Sequence, residues 1–76
     1  VDRVTLYPVP AAQIIHFSKL ENVLILEIID LNGKVMLTIE NPEPEVSLDI
    51  SQFEKGIYIA RYIRSDTSGS LKFIVD

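Results

Sequence analysis

The sequence predicts an all-β domain, a small antiparallel sandwich of about six or seven strands. Three observations carry that expectation. Apolar and polar residues alternate with period two, most plainly where Val46, Leu48 and Ile50 interleave with Ser47, Asp49 and Ser51, the pattern of a strand with one buried face. Glycine, proline and asparagine clusters cut the chain into short runs at roughly the eight-to-twelve-residue spacing of sandwich strands. No stretch sustains the 3.6-residue apolar period of a buried helix face.

The centre of the pattern is Asp30-Leu31-Asn32-Gly33-Lys34, lying between apolar runs at residues 23–29 and 35–39. Asn-Gly between hydrophobic runs is the strongest short hairpin signal, because a type I′ turn needs positive φ at both central residues. With Asn32 and Gly33 at the tip, Leu31 pairs with Lys34 and Ile28 with Leu37. Leu24, Leu26 and Ile28 then share the inner face with Val35, Leu37 and Ile39.

The other elements follow in order. Residues 4–7 read as a short strand, stopped by Pro8 and Pro10, which cannot donate to a ladder. Residues 13–19 resume β character, with Ile15 and Phe17 on one face, and Leu20-Glu21-Asn22 is a turn. Asn41-Pro42-Glu43-Pro44-Glu45 is a loop. After the alternating run at residues 46–51, Phe53-Glu54-Lys55-Gly56 is a turn with Gly56 at positive φ. Tyr58, Ala60 and Tyr62 point inward on the next strand, and the Tyr58 hydroxyl seeks a backbone partner. Asp66-Thr67-Ser68-Gly69-Ser70 reads as a flexible polar turn. Leu71, Phe73 and Val75 align on the last strand.

At 76 residues, 47% of them hydrophobic, the chain is one domain, spanning residues 1–76 with residues 1–10 as linker or first edge strand. It begins Val1-Asp2-Arg3, which reads as a piece of something longer. There is no cysteine, hence no disulfide or thiolate metal site, and the formal charge of −4 argues against nucleic acid as a partner. No apolar run approaches the ~20 residues of a membrane-spanning helix. Ile25, Ile29, Met36, Ile57, Ile59 and Ile63 all fall on outward rows. That is more apolar surface than one small sandwich leaves wet, and it implies self-association as a homodimer or docking on an attached domain.

Signals of catalysis are weak. His16 is the single histidine and reads as a partly exposed strand residue. Glu40, Glu43 and Glu45 lack the spaced oxygen ligands and turn glycine of a calcium loop. Asp30 and Asp49 stand where strands approach turns, and their carboxylates are suited to bonding nearby N–H groups. There is no phosphate-binding loop, nucleophile elbow or paired-carboxylate motif. The expectation is a non-enzyme without cofactor or metal.

Five pieces in order carry a resemblance: Leu6-Tyr7-Pro8-Val9-Pro10-Ala11, Ile28-Ile29-Asp30-Leu31-Asn32-Gly33-Lys34-Val35, Leu48-Asp49-Ile50-Ser51, Lys55-Gly56-Ile57-Tyr58-Ile59 and Leu71-Lys72-Phe73-Ile74-Val75. In this order and spacing the chain resembles the C-terminal sorting domain of the type IX secretion system of Bacteroidetes. The resemblance implies an Ig-like β-sandwich that serves as an export address. It implies that a cargo domain on the N-terminal side is taken from the periplasm through an outer-membrane translocon to the cell surface. A sortase-like surface protease and anionic lipopolysaccharide are further implied partners. The motif positions carried over are Tyr7, Pro8, Pro10 and Ala11 at the entry. Asp30, Asn32, Gly33 and Lys34 match at the hairpin, Gly56 and Tyr58 at the glycine-x-tyrosine piece, and Lys72, Phe73, Ile74 and Val75 at the end. Val9 stands where the family entry motif usually has Asn, and Asp76 where a basic residue is common. The competing reading is a structural or adhesive Ig-like module of a cell-surface protein, which would not need to sit at the end of its parent chain.

Overall fold

The structure, a computed structural model, describes residues 4–8 and 11–76. Among these, seven strands form two antiparallel sheets and there is no helix. The strands are β1 (Thr5–Tyr7), β2 (Ile14–Ser18), β3 (Val23–Asp30), β4 (Val35–Glu40), β5 (Val46–Asp49), β6 (Gly56–Arg64) and β7 (Ser68–Val75). The first sheet has the order β1-β2-β5 and the second β4-β3-β6-β7. The expected β-sandwich is the observed architecture.

The core lies between the sheets and follows the period-two pattern. Ile15 and Phe17 of β2 face Leu26 and Ile28 of β3, Tyr58 and Ala60 of β6, and Phe73 and Val75 of β7. Every one of these is buried. Val46 and Leu48 pack at the margin and Ile50 closes it. Each fully buried aliphatic or aromatic side chain contributes about 1.5–3 kcal/mol over an exposed one, and the alternation delivers them all to one layer.

The central hairpin differs from the sequence expectation by one residue at its tip. Gly33 N donates to the Asp30 carbonyl (3.1 Å) and Asp30 N to the Lys34 carbonyl (2.9 Å). Leu31 and Asn32 therefore occupy the turn centre, and Asp30 closes against Lys34. Positive φ is confined to Gly33, at 85°, and Asn32 has none. This is a three-residue loop with glycine in the left-handed position, the alternative to the two-residue type I′ loop. Asp30 decides between them: its Oδ1 accepts from Asn32 N and Lys34 N, both at 2.9 Å, an arrangement that stabilises the wider turn. A bulge beside Ile28 and Ile29, with Met36 as the extra residue, restores the expected Ile28–Leu37 pair. It also turns Val35 out of the core, to 44% exposure.

Leu24 is a second correction. The register of β3 against β6 shifts between Val23 and Ile25. Leu24 is the residue left over, 45% exposed, while Val23 takes its inward place. Ile29 departs in the opposite sense. It lies on the outer face by register, between Val35 and Ile59, yet those aliphatic neighbours leave it only 8% exposed.

The turn expected over residues 66–70 is shorter than its polar run and ends at Thr67. Arg64 N bonds the Thr67 carbonyl (2.7 Å) and β7 already begins at Ser68. Gly69 lies opposite Tyr62 in the ladder. A Cβ at Gly69 would collide with the Tyr62 ring, so this glycine provides space for an aromatic neighbour, a known device for keeping glycine in a strand. The Arg64 guanidinium lies over the same ring, 5.2 Å from its centroid.

These two glycines answer to different physics, and substitutions separate them. Around Gly33 nothing lies within 4 Å of an added Cβ, so Gly33→Val costs backbone strain alone, about 1–3 kcal/mol, read as a lowered urea midpoint. Gly33→Asn costs far less, since Asn tolerates positive φ. Gly69→Ala destabilises by displacing Tyr62, and a double-mutant cycle with Tyr62→Ala is non-additive for Gly69 but additive for Gly33.

Candidate recognition site

The ladder registers gather the motif positions at one end of the second sheet. Asp30 of β3 lies opposite Tyr58 of β6, and Tyr58 lies opposite Phe73 of β7. Two steps further, on the same face, Gly56 pairs with Val75, and Val75 is bridged on its other side by Ala11 in a parallel contact. Four stretches far apart in sequence thus meet in two neighbouring rows of one face.

Aromatic contacts fix the inner side of these rows. Tyr58 and Phe73 stack at 5.9 Å between centroids. Phe73 meets Phe17 of the first sheet edge-on at 6.4 Å, and Phe53 tilts against Tyr58 at 5.3 Å. Such pairs are worth about 0.5–1.5 kcal/mol each beyond the area they bury. Tyr58 donates its hydroxyl to the Glu54 carbonyl (2.7 Å), as a buried tyrosine must to avoid an orphaned polar group. That bond ties down the turn before Gly56, whose φ is 150°.

Ala11 anchors the entry segment. Its side chain is fully buried. Its N–H donates to the Ile74 carbonyl and its carbonyl accepts from Asp76 N, both at 2.8 Å. Sequence reasoning placed Ala11 in the entry motif without finding this partner, since a single residue pairing beside a proline carries no periodic signal.

On the outer side the same end is apolar. Ile57 pairs with Ile74, and Val35, Ile29 and Ile59 form the neighbouring row, extended by Lys72 opposite Ile59. Leu31, Val35, Met36, Ile57 and Ile74 are all at least 36% exposed. Beyond this patch Arg61 Nε and Nη2 both donate to Glu27 Oε1, at 3.0 and 2.6 Å. This partly exposed pair contributes little to stability. Met36 and Ile57 are exposed as expected, and Ile25, Ile59 and Ile63 are half-buried.

Tyr7 stands apart from that end. It pairs with His16 in the first sheet, is 54% exposed and stacks on the His16 ring at 5.1 Å. His16 Nδ1 and Ser47 Oγ are hydrogen-bonded at 2.7 Å. Pro8 follows β1 directly, and Pro10 lies outside the described residues.

A family model described as a secretion system C-terminal sorting domain matches residues 5–76. The chain belongs to this family. No curated protein and no solved structure matches it. The sorting domain is a signal for type IX secretion: it engages that machinery on behalf of an attached cargo, which is exported to the cell surface or the extracellular space. In this sorting domain strand alternation splits the last motif in two. Phe73 and Val75, 1% and 3% exposed, belong to the core, while Ile74 is 42% exposed and Lys72 is exposed beside it. The hairpin motif divides similarly: the Asp30 carboxylate is spent on the turn, and Asn32, Gly33 and Lys34 face water.

Two structural bonds can be tested directly. Tyr58→Phe keeps the aromatic stack and loses the bond to Glu54, lowering stability by about 1 kcal/mol in urea unfolding. Asp49 gives a pH dependence. The Ser51 side chain and then its backbone N–H hold the Asp49 carboxyl below its ordinary value of 3.8. Its contribution is therefore complete above that value and is lost as pH falls through the lowered folded pKa. Acid titration of stability in Asp49→Asn lacks this component, and an unchanged acid limb would contradict it.

Proposed function

We propose that the export machinery reads the last strand of the sorting domain through its outward row, Lys72, Ile74 and Asp76. The supporting observation is the convergence of the hairpin, glycine-x-tyrosine and last-strand motifs on one end of the second sheet. There Tyr58 and Phe73 hold β7 in place from within, and the alternate side chains stand out to solvent. Ala11 closes the entry segment onto that end by its bonds to Ile74 and Asp76.

In this reading the domain is non-catalytic and accompanies a folded cargo from the periplasm through an outer-membrane translocon of a Bacteroidetes cell. A sortase-like surface protease then removes it and joins the cargo to anionic lipopolysaccharide. The neighbouring patch of Leu31, Val35, Met36 and Ile57 packs on that cargo, or on a second copy when the domain is isolated, since patches of this kind mark contact surfaces.

The test is a reporter fusion in a bacterium with the secretion system. Lys72→Glu combined with Ile74→Ser abolishes secretion while leaving the urea midpoint nearly unchanged. Phe73→Ala abolishes it by unfolding, at a cost of about 3–5 kcal/mol. Secretion intact in the folded outward pair would assign the last strand a structural role only.

A further inference from the structure

We infer that the partner joins the sorting domain by strand addition along the open edge of β7, from Ser68 to Lys72, and that the joining segment is extended and carries a carboxylate opposite Lys72. This rests on the reading above and specifies how the last strand is engaged.

Strand alternation sets the geometry. Ile74 offers its carbonyl and Asp76 its N–H to Ala11, so the even-numbered residues of β7 aim their backbone groups away from β6. The groups of Ser68, Ser70 and Lys72 therefore point to the same side. Among the described residues no strand covers them. Ala11 takes the next position along and sets the end of the free segment.

The four edges of the sandwich are not equivalent. β1 has three residues and runs into Pro8, and β5 has four and follows a loop with Pro42 and Pro44. β4 is broken by the bulge at Met36. Shortness, proline, bulges and charge, lysine above all, are the usual protections of an edge. β7 has none of the first three: it runs eight residues without proline and pairs with β6 in eight unbroken steps. Its one charge is Lys72, which repels a basic strand and favours an acidic one through cross-strand pairing. On the inner face Leu71 is half-buried and offers the incoming strand an apolar neighbour. Backbone bonds would supply affinity, and Lys72 and Leu71 the choice of partner.

Proline tests the edge without touching the β6 ladder. Ser70→Pro deletes an N–H that points outward. Thr38→Pro does the same on the opposite edge strand, because Asn41 N bonds the Leu24 carbonyl and Thr38 alternates away from it. In the reporter fusion, Ser70→Pro lowers secretion about ten-fold relative to Thr38→Pro; equal secretion from both overturns strand addition. A second measurement holds if Ser70→Pro fails to fold. The chain lacks cysteine, so Ser70→Cys or Thr38→Cys introduces a single thiol for crosslinking during export. Ser70→Cys alone gives an adduct with an outer-membrane component of the secretion system. Equal adducts from both sites, adducts only between two copies of the chain, or none at all overturn the proposal. Secretion lost in Lys72→Glu with Ile74→Ser but retained in Ser70→Pro removes strand addition and keeps the outward-row reading. Retention in both removes both.

Discussion

The contact between Phe17 and Phe73 is the joint on which the sandwich depends. Phe17 and Phe73 are the largest fully buried side chains, one from each sheet. Their edge-on approach sets the sheets together at the place where Tyr58 stacks behind Phe73 and Phe53 behind Tyr58. A domain this small has little apolar volume to spare. Setting four of its six phenylalanine and tyrosine rings in one line concentrates packing at the end of the sheet where the motif residues meet.

That arrangement makes fold and signal inseparable by position yet separable by side chain. On β7 the odd-numbered residues hold the strand against the core and the even-numbered ones face outward. The same backbone thus carries packing and display in alternation. The motif is a mixture of the two for this reason. Asp30 contributes by bonding Asn32 and Lys34, and Tyr58 by bonding Glu54; their place in the motif reflects the geometry they enforce on neighbours.

Much of this was legible in the residues. Period-two alternation located β2, β5 and β6 and named Ile15, Phe17, Tyr58, Ala60, Phe73 and Val75 as core, because a strand's two faces are fixed once one side is buried. Asx bonding by Asp30 and Asp49 was also foreseeable from their places beside turns. Alternation fails where the count of residues on paired strands differs. Leu24 and Met36 are bulge residues, and nothing local to either marks the extra position. Asn32-Gly33 announced a turn, but the choice between a two- and a three-residue loop was settled by the Asp30 carboxylate. Gly69 was misleading because its polar neighbours favour a loop, whereas a tyrosine across the ladder fills the space of its missing side chain. The site divides in the same way. Which residues of β7 point out follows from parity, but the bridge to Ala11 is a contact between distant segments with no period to betray it.

The Ala11–Val75 bridge has a bearing on synthesis. It joins segments near opposite ends of the region that matches the family, and both members are buried. Contacts of such long sequence separation close late, because the intervening chain must first give up its freedom. The second sheet cannot be completed until β7 has been made, and β7 is the last strand of the domain to leave the ribosome. A copy cut short of β7 therefore lacks the final rung, the Phe73 link between the sheets and the displayed row together. Placing an address on the last strand of such a topology makes completeness of the domain a condition of its being legible.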